Sequence, residues 1–146
     1  MAKVLIKKLD PAVELPEYKT DGASGMDLMA FIKEPITLKP NSSCLVSTGL
    51  SVAFSNDFEI QIRPRSGLAA KNQVSVLNTP GTIDADYRGE IKVILINLSD
   101  KVFVVEKGLR IAQMVVCPVI KVSLKEVTKL EITERGSSGF GSTGIK

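Results

Sequence analysis

The chain has no histidine and no tryptophan, and aromatic residues make up only 5% of it. Histidine is the usual general base at neutral pH and a frequent nitrogen ligand for metals. A hydrolase made from this chain would therefore have to use a carboxylate as its base. Any metal would be a hard cation held by oxygen atoms, such as Mg²⁺.

Cysteine is also scarce, because the chain has only Cys44 and Cys117 and they form no CxxC pattern. Each lies in an apolar, strand-like run, which predicts reduced core thiols rather than a disulfide or a metal site. The first residues include no long apolar stretch of the signal-peptide type, and no segment approaches ~20 continuous apolar residues. We therefore expect a cytoplasmic protein with no membrane partner.

Positive charges only slightly outnumber negative ones, since the net charge is +3, and the charges are spread along the chain. Nucleic-acid-binding proteins usually carry a clustered basic face, so we expect no nucleic-acid partner. A small polyanionic ligand does fit this charge. The length of 146 residues suits one domain whose core is built from aliphatic side chains.

Short apolar runs bounded by Gly, Pro, Asn or Asp dominate what is present, and they predict β-strands. The clean alternation of Glu59–Arg63 is typical of half-buried antiparallel strands. The close spacing of the runs favours a sandwich or jelly roll over a parallel βαβ fold. The predicted strands are Lys3–Leu9, Gly25–Ile32, Ile36–Lys39, Ser43–Phe54, Phe58–Arg63, Val74–Leu77, Glu90–Leu98, Phe103–Val105 and Ile111–Val119.

One short helix is predicted at Gly67–Lys71, with Ser66 as its cap. After Leu130 the sequence is rich in glycine and small hydroxyl residues, which cannot build a core. The sequence therefore predicts an all-β, jelly-roll-like sandwich or barrel over residues 1–130, followed by a mobile C-terminal arm over residues 131–146. A frayed terminus is the alternative for the arm.

The first stretch with chemical character runs from Arg63 to Lys71, where a predicted strand ends and the predicted helix begins. Unpaired backbone N–H groups at a helix start attract anions. Arg65 can make a bidentate contact with phosphate oxygens, and Ser66 adds a hydroxyl donor. Gly67 lets a ligand approach the backbone closely. An ordinary capped turn with solvated arginines is the alternative.

Residues 78–90 link two predicted apolar strands, and we expect a long structured hairpin with Asp84, Asp86 and Tyr87 near its bend. A hairpin with exposed backbone groups can read a flat base edge. Asp84 is the better candidate for the base, because the apolar Ile83 before it can seat it at a pocket wall. Asp86 is interpreted as structural, and a plain charged surface loop is the alternative for the whole segment.

Three further stretches carry candidate residues in apolar or glycine-rich surroundings. Asp27 begins a predicted strand, where a half-buried acid needs a partner, either an arginine or a metal-bound water. Gln113 interrupts a run that otherwise reads as core, and Arg110 before it suits a salt bridge. In the tail, backbone amides and hydroxyls resemble a phosphate-cradling loop, and Phe140 between glycines could stack on a base.

The joint presence and order of these stretches resemble the five motifs of the trimeric dUTPase family. In order, they are Ala23-Ser-Gly-Met-Asp-Leu28, Pro64-Arg-Ser-Gly-Leu-Ala69, Gly81-Thr-Ile-Asp-Ala-Asp-Tyr-Arg-Gly89, Arg110-Ile-Ala-Gln113 and Arg135-Gly-Ser-Ser-Gly-Phe-Gly-Ser-Thr-Gly144. The resemblance implies a jelly-roll protomer in a homotrimer. Each active site would then take parts from three chains, the last being the C-terminal arm of a neighbour.

The resemblance also implies hydrolysis of dUTP to dUMP and pyrophosphate, which limits uracil in DNA and supplies dUMP for dTMP synthesis. Asp84 matches the residue that holds the attacking water and touches the 3′-hydroxyl. Tyr87 matches the ring that packs under the deoxyribose and leaves no room for a 2′-hydroxyl. The uracil-reading hairpin is matched by Asn78, by the backbone of Thr82, Ile83 and Asp84, and by the facing strand near Lys92.

Phosphate and metal contacts follow from the same resemblance. The residues that match phosphate-binding positions are Arg65, Ser66, Gly67 and Gln113. Gln113 also matches a contact to water. Mg²⁺ would be bound by the three phosphates and by water rather than directly by protein, with Asp27 supporting its outer shell. The matching residues of the arm are Arg135, Gly141, Ser142 and Thr143 for the phosphates and Phe140 for the uracil.

Two other functions remain open at this point. A dCTP deaminase of the same superfamily would need a carboxylate beside C4 of the base, and its motif set is not evident. A non-catalytic module could keep the trimer and the nucleotide site while acting through protein partners. The presence of Asp84 and of the complete tail favours a catalyst over both.

Overall fold

The structure is a computed structural model that describes residues 3–139. Within them, eleven strands and one helix follow one another along the chain. They are β1 (Val4–Lys8), β2 (Met26–Met29), β3 (Ile36–Leu38), β4 (Ser43–Ser47), β5 (Leu50–Phe54), β6 (Phe58–Arg63), α1 (Ser66–Asn72), β7 (Val74–Val76), β8 (Gly81–Ile83), β9 (Lys92–Asn97), β10 (Phe103–Val105) and β11 (Arg110–Pro118).

The described strands pair only in antiparallel fashion, as the alternating sequence pattern predicts. The larger sheets have the orders β2-β11-β6-β8 and β4-β9-β7, and the pairs β1-β5 and β3-β10 complete the fold. Both larger sheets contribute to one aliphatic core. The prediction of an all-β jelly-roll fold with one short helix is confirmed.

The core is made of side chains whose strand position turns them inward at every second residue. On β9, for example, Val93 and Leu95 are fully buried while Lys92 is exposed. Each such aliphatic side chain stabilises the fold by about 1.5–3 kcal/mol relative to an exposed one. The other fully buried large side chains are Leu28, Leu38, Val46, Ile60, Val74, Val76, Ile91, Val105, Ile111 and Met114.

Two details of the predicted strands are wrong. The single run Ser43–Phe54 is two strands, β4 and β5, because the chain turns at Gly49 with a φ of 70°. The predicted hairpin over residues 78–90 is also interrupted. The strands β7 and β9 do pair, but between them the chain leaves their sheet and forms β8, which pairs with β6.

The predicted helix is present, but it is not capped as expected. Ser66 is its first residue, and Arg65 takes the N-cap position with extended backbone and no side-chain cap bond. The helix ends at Gln73, whose left-handed conformation lets its N–H return to the carbonyls of Leu68 and Ala69. The Ser66 hydroxyl is thus not occupied in capping.

Both cysteines are unpaired, as predicted, but both are only partly buried and do not belong to the buried core. Burial raises the pKa of the Cys44 thiol. The last strand ends at Pro118, and residues 119–139 contain no helix or strand. Most side chains of this segment are exposed, including Ile120, Leu124 and Ile132. Among residues 3–139, no helix has the length and apolar character needed to span a bilayer.

Candidate active site

Asp27 is the centre of a charged group at one end of the four-stranded sheet. Its Oδ1 accepts a 2.8 Å hydrogen bond from Nε of Arg65, and its Oδ2 accepts one of 3.2 Å from Nη1 of Arg110. The carboxylate is 21% exposed and the Arg65 side chain 26%, so the pair is only partly shielded from water. Arginine, one of the two partners that the sequence left open for Asp27, therefore contacts it from two sides.

A bulge in β11 brings Arg110 to this group. Gln113 lies opposite Asp27, but Arg110 rather than Ile111 lies opposite Met29, because the register shifts between Arg110 and Ala112. Residues directly opposite each other on antiparallel strands share a face of the sheet. The shift therefore places Arg110 on the face of Asp27 and Gln113, and it leaves Ile111 in the core.

Gln113 is fixed in place from two sides. Its Nε2 donates a 3.0 Å hydrogen bond to the carbonyl of Pro64, just before the predicted phosphate-binding residues. A Cβ added at Gly25 would lie 2.6 Å from Oε1 of Gln113, so a larger residue there would displace this carboxamide. The first motif, through Gly25, therefore packs against the fourth motif, through Gln113. The sequence predicts no role for Gly25 itself.

The start of α1 projects the predicted phosphate contacts from the same end of the sheet. Ser66 and Gly67 are exposed, and a Cβ added at Gly67 would meet nothing within 4 Å. Arg65 lies next to them and is oriented by Asp27. Polar donors from two motifs thus surround an open surface that can accept an anion.

A second group of predicted residues lines a cavity of about 280 Å³, close to the lower end of the size range of small-molecule sites. Thr82, Ile83, Asp84 and Tyr87 form one wall. Lys92 and Ile94 of β9, with Leu45 of β4, form the other. Lys92 lies across the cavity from residues 82–84 and is not their hairpin partner, because β8 pairs with β6.

The loop after β8 is held by its own hydrogen bonds. The Tyr87 N–H donates to the carbonyl of Asp84 at 3.1 Å, and the Tyr87 hydroxyl donates to the carbonyl of Glu90 at 3.0 Å. Arg88 donates from Nη1 to the carbonyls of Ala85 and Tyr87. The Tyr87 side chain is 44% exposed, so its ring is available to a ligand in the cavity.

Asp84 is exposed at the rim between this cavity and a second one of about 450 Å³. Asp86 lines only the second of these two, together with Glu59 and Lys121. The position of Asp84 suits a base that meets both a bound nucleoside and solvent. Asn78 is exposed, and its side chain lies against Gly81, where an added Cβ would be 3.1 Å from Nδ2.

Within residues 3–139, the two groups line separate cavities. Asp27 and Arg110 line a cavity of about 180 Å³ that shares no lining residue with the cavity of Asp84 and Tyr87. Arg135 is exposed and bonds locally, from Nε to the carbonyl of Ser138 at 3.0 Å. The other arm residues, Phe140, Gly141, Ser142 and Thr143, lie outside the described residues.

The oxygen-bearing side chains near Asp27 can be compared with what Mg²⁺ requires. Among residues 3–139, no three His, Cys, Asp or Glu side chains converge in a metal-binding cluster. Asp27 is nevertheless a partly exposed carboxylate beside the predicted phosphate contacts. Mg²⁺ usually keeps several waters and binds through one or two carboxylates together with substrate phosphates. These residues fit a metal that arrives bound to a polyphosphate.

Glu90 is a second residue that the sequence analysis missed. Its carboxylate lies at the edge of the Tyr87 cavity and accepts a 2.9 Å hydrogen bond from the N–H of Gly49. An acidic residue at the start of a strand is common and does not by itself indicate a function. The hydrogen-bond partner of Glu90 lies 41 positions away in the sequence, so no local pattern could have identified this contact.

Two known proteins with similar sequences carry the same name. Deoxyuridine 5'-triphosphate nucleotidohydrolase of Rickettsia bellii is 58% identical over 146 residues, covering 99% of this chain and 97% of that protein. The protein of the same name from Hydrogenobaculum sp. is 56% identical over 144 residues, covering 99% of each.

Solved structures show the same fold. The dUTPase of Staphylococcus bacteriophage 80alpha with dUPNHPP has a TM-score of 0.84 at 24% identity, covering 98% of this chain and 99% of that one. A variant dUTPase of phage phi11 of S. aureus, described with a coordinated structural Mg(II) ion, has a TM-score of 0.77 at 21% identity, covering 88% of this chain and 99% of that one. A family model described as dUTPase matches residues 12–144. This chain therefore belongs to the dUTPase family.

Proposed function

We propose that this protein hydrolyses dUTP to dUMP and pyrophosphate, with Asp84 directing water at the α-phosphorus. The observation that carries the proposal is the cavity of about 280 Å³ that brings Asp84 and Tyr87 together with the backbone of β8. The names of the similar proteins support the same substrate. The structure of the phage enzyme with dUPNHPP, an analogue of the triphosphate, supports it further.

Recognition of the nucleoside would depend on shape and on backbone groups. Residues 82–84 would pair with the uracil edge, and a narrow slot would exclude the thymine methyl. Cytosine would leave buried donors and acceptors unpaired, which is an effective way to reject a close analogue. The ring of Tyr87 would pack under the deoxyribose and leave no room for a 2′-hydroxyl.

Phosphate binding would fall to the other group of residues. Arg65, Ser66 and Gly67 would bind phosphate oxygens, and Gln113 would contact a phosphate and water. Asp27 supports this arrangement because it holds Arg65 in place. Arg135 and the arm residues Phe140, Gly141, Ser142 and Thr143 would close over the bound nucleotide, and this closure would exclude bulk solvent.

In the chemical step, the carboxylate of Asp84 would accept the proton of the attacking water. The bond from that water to the α-phosphorus would form as the bond to the bridging oxygen breaks, and pyrophosphate would leave. When bound, Mg²⁺ supplies positive charge that offsets the charge of the phosphates. Asp27 would hold waters of its outer shell. The chain itself mainly positions groups and stabilises charge.

We further propose a homotrimer in which residues 1–130 form the core and the arm of residues 131–146 completes a neighbour's site. The separation of the two cavities supports this, because within the described part of the chain Asp27 and Asp84 line different cavities. Exposed aliphatic side chains such as Leu5, Leu45 and Leu98 supply surface for subunit contacts. The unpaired cysteines support a reducing compartment such as the cytoplasm.

The decisive assay measures pyrophosphate release from dUTP, dTTP, dCTP and UTP with Mg²⁺ present. We expect release from dUTP alone at a useful rate. Ammonia release from dCTP would instead favour a deaminase. Tight dUTP binding without pyrophosphate release would favour a non-catalytic module.

The shared site can be tested by mixing two inactive variants. Asp84→Asn damages the nucleoside group, and Arg65→Ala damages the phosphate group of the same chain. If each site combines two chains, co-refolded mixtures should regain activity that neither variant has alone. A mixture as inactive as its components, in particles that native mass spectrometry shows to be mixed trimers, would place the whole site within one chain.

A further inference from the structure

The ring of Tyr87 is packed directly on Gly89. A Cβ added at Gly89 would lie 2.3 Å from Oη and 2.5 Å from Cζ of Tyr87, which is closer than real Cβ atoms approach. The ring therefore rests on bare backbone, and its hydroxyl bonds to the carbonyl of the next residue, Glu90. The orientation of Tyr87 depends on where the backbone of residues 89 and 90 lies.

The side chain of Glu90 anchors the backbone of residues 89 and 90. Its Oε1 accepts the hydrogen bond from the Gly49 N–H at 2.9 Å, and its Oε2 lies 3.4 Å from the Ser47 hydroxyl. The ammonium of Lys92, on the far wall of the cavity, is 3.7 Å from the same Oε2. The carboxylate is only 21% exposed, so its bonds are partly shielded from water.

The turn that grips Glu90 is itself rigid. Gly49 has a φ of 70°, and a Cβ there would lie 2.5 Å from Cγ2 of the buried Val13. The buried Thr48 donates from Oγ1 to the carbonyl of Ile91 at 2.6 Å, and the N–H of Ile91 donates to the carbonyl of Leu50 at 2.7 Å. The turn between β4 and β5 thus holds two successive residues at the end of the Tyr87 loop.

We propose that Glu90 is a positioning residue for substrate selection, which carries the fixed geometry of the Gly49 turn to the ring of Tyr87. This inference rests on the proposed function, since it concerns the discrimination of dUTP from UTP. In the proposed role, the carboxylate of Glu90 does not contact the sugar. It fixes the carbonyl that receives the Tyr87 hydroxyl, and this keeps the ring where a 2′-hydroxyl would collide with it.

The matched variants are Glu90→Ala, Glu90→Gln and, as a control, Glu106→Ala at an exposed acid. Glutamine retains an oxygen for the Gly49 N–H and a group that can bond to the Ser47 hydroxyl. We expect Glu90→Ala to lower the ratio of kcat/KM for dUTP over UTP roughly tenfold, because small displacements of positioned groups have large effects. Glu90→Gln and Glu106→Ala should stay within about twofold of the parent.

Tyrosine emission gives a readout that does not need activity. The chain has two tyrosines and no tryptophan, and Tyr18 is exposed. In a Tyr18→Phe background, the fluorescence anisotropy therefore reports on Tyr87 alone. Glu90→Ala should lower this anisotropy and Glu90→Gln should not. Should Glu90→Ala not fold, Gly89→Ala offers a second way to displace the ring, with the same expected loss of selectivity.

The outcomes separate the two proposals. Unchanged selectivity and unchanged anisotropy in Glu90→Ala would overturn the role of Glu90, as would equal losses in the alanine and glutamine variants. If the parent protein shows no preference for dUTP while the anisotropy of Glu90→Ala still falls, the proposed function fails and the positioning of Tyr87 by Glu90 stands.

Discussion

The Nε atom of Arg65 lies 2.8 Å from Oδ1 of Asp27, across 38 positions of sequence. This bond joins the entry of the short helix to the edge strand of the four-stranded sheet. It orients a guanidinium that would otherwise sample many rotamers. An arginine oriented in advance binds phosphate at a smaller entropic cost.

Asp27→Asn should weaken catalysis through this bond. The amide keeps the size of the carboxylate but removes the charge that holds Arg65 and Arg110. We expect kcat/KM for dUTP to fall roughly tenfold, in line with the loss of a charge-assisted hydrogen bond. Steady-state kinetics with thermal unfolding checks this. Asp100→Asn is the matched control, because Asp100 is exposed and lines neither the cavity of Asp27 nor that of Asp84.

Asp84→Asn should remove the base while leaving the nucleotide site intact. We expect turnover to fall by roughly a hundredfold or more, since the amide cannot accept a proton from water. Calorimetry should still show dUTP binding. Asp86→Asn is the control, because Asp86 is two residues away and does not line the nucleoside cavity. Normal turnover in Asp84→Asn would remove this residue from the mechanism.

Deleting the chain from Arg135 onward should abolish most activity without unfolding the core. Each described strand ends at or before Pro118, and the side chain of Arg135 is exposed. The melting temperature should therefore shift by less than about 4 °C while pyrophosphate release nearly stops. A truncated protein that melts far earlier would show that the segment is structural.

Tyr87→Ala should admit ribonucleotides. Removing the ring opens the side of the cavity that we assign to the sugar. Because one small group gives only modest discrimination in such a pocket, we expect the preference for dUTP over UTP to fall by roughly tenfold or more. Paired kcat/KM values for the two nucleotides give the answer, and an unchanged ratio would reject the steric role.

The fold could be predicted because its signal is local. The alternation on β6 and β9 depends only on neighbouring residues, and it gave both strands almost to their ends. β8 was missed since it has only three residues and follows Pro80. Its partner is β6 and not the strand that follows it, which the sequence order does not indicate.

The sequence predicts candidate site residues, but it does not predict the contacts that hold them in place. Short motifs identified Asp84, Tyr87 and Arg65, because each combines residue types that suit phosphate or base recognition. The contacts that support them join distant positions, such as Gln113 with Pro64, or Glu90 with Gly49. Those pairings depend on strand register, and a single sequence does not specify register between distant strands.

The cavity that we assign to the nucleoside is lined from both larger sheets, since β8 belongs to one and β4 and β9 belong to the other. On β4 and β9 its lining includes Leu45 and Ile94, which alternate with the buried Val46 and Val93 and therefore lie on the outer face of their sheet. This side of the cavity can be reshaped without touching the packed interior, so in variants at Leu45 or Ile94 the choice of nucleotide and the melting temperature should vary independently.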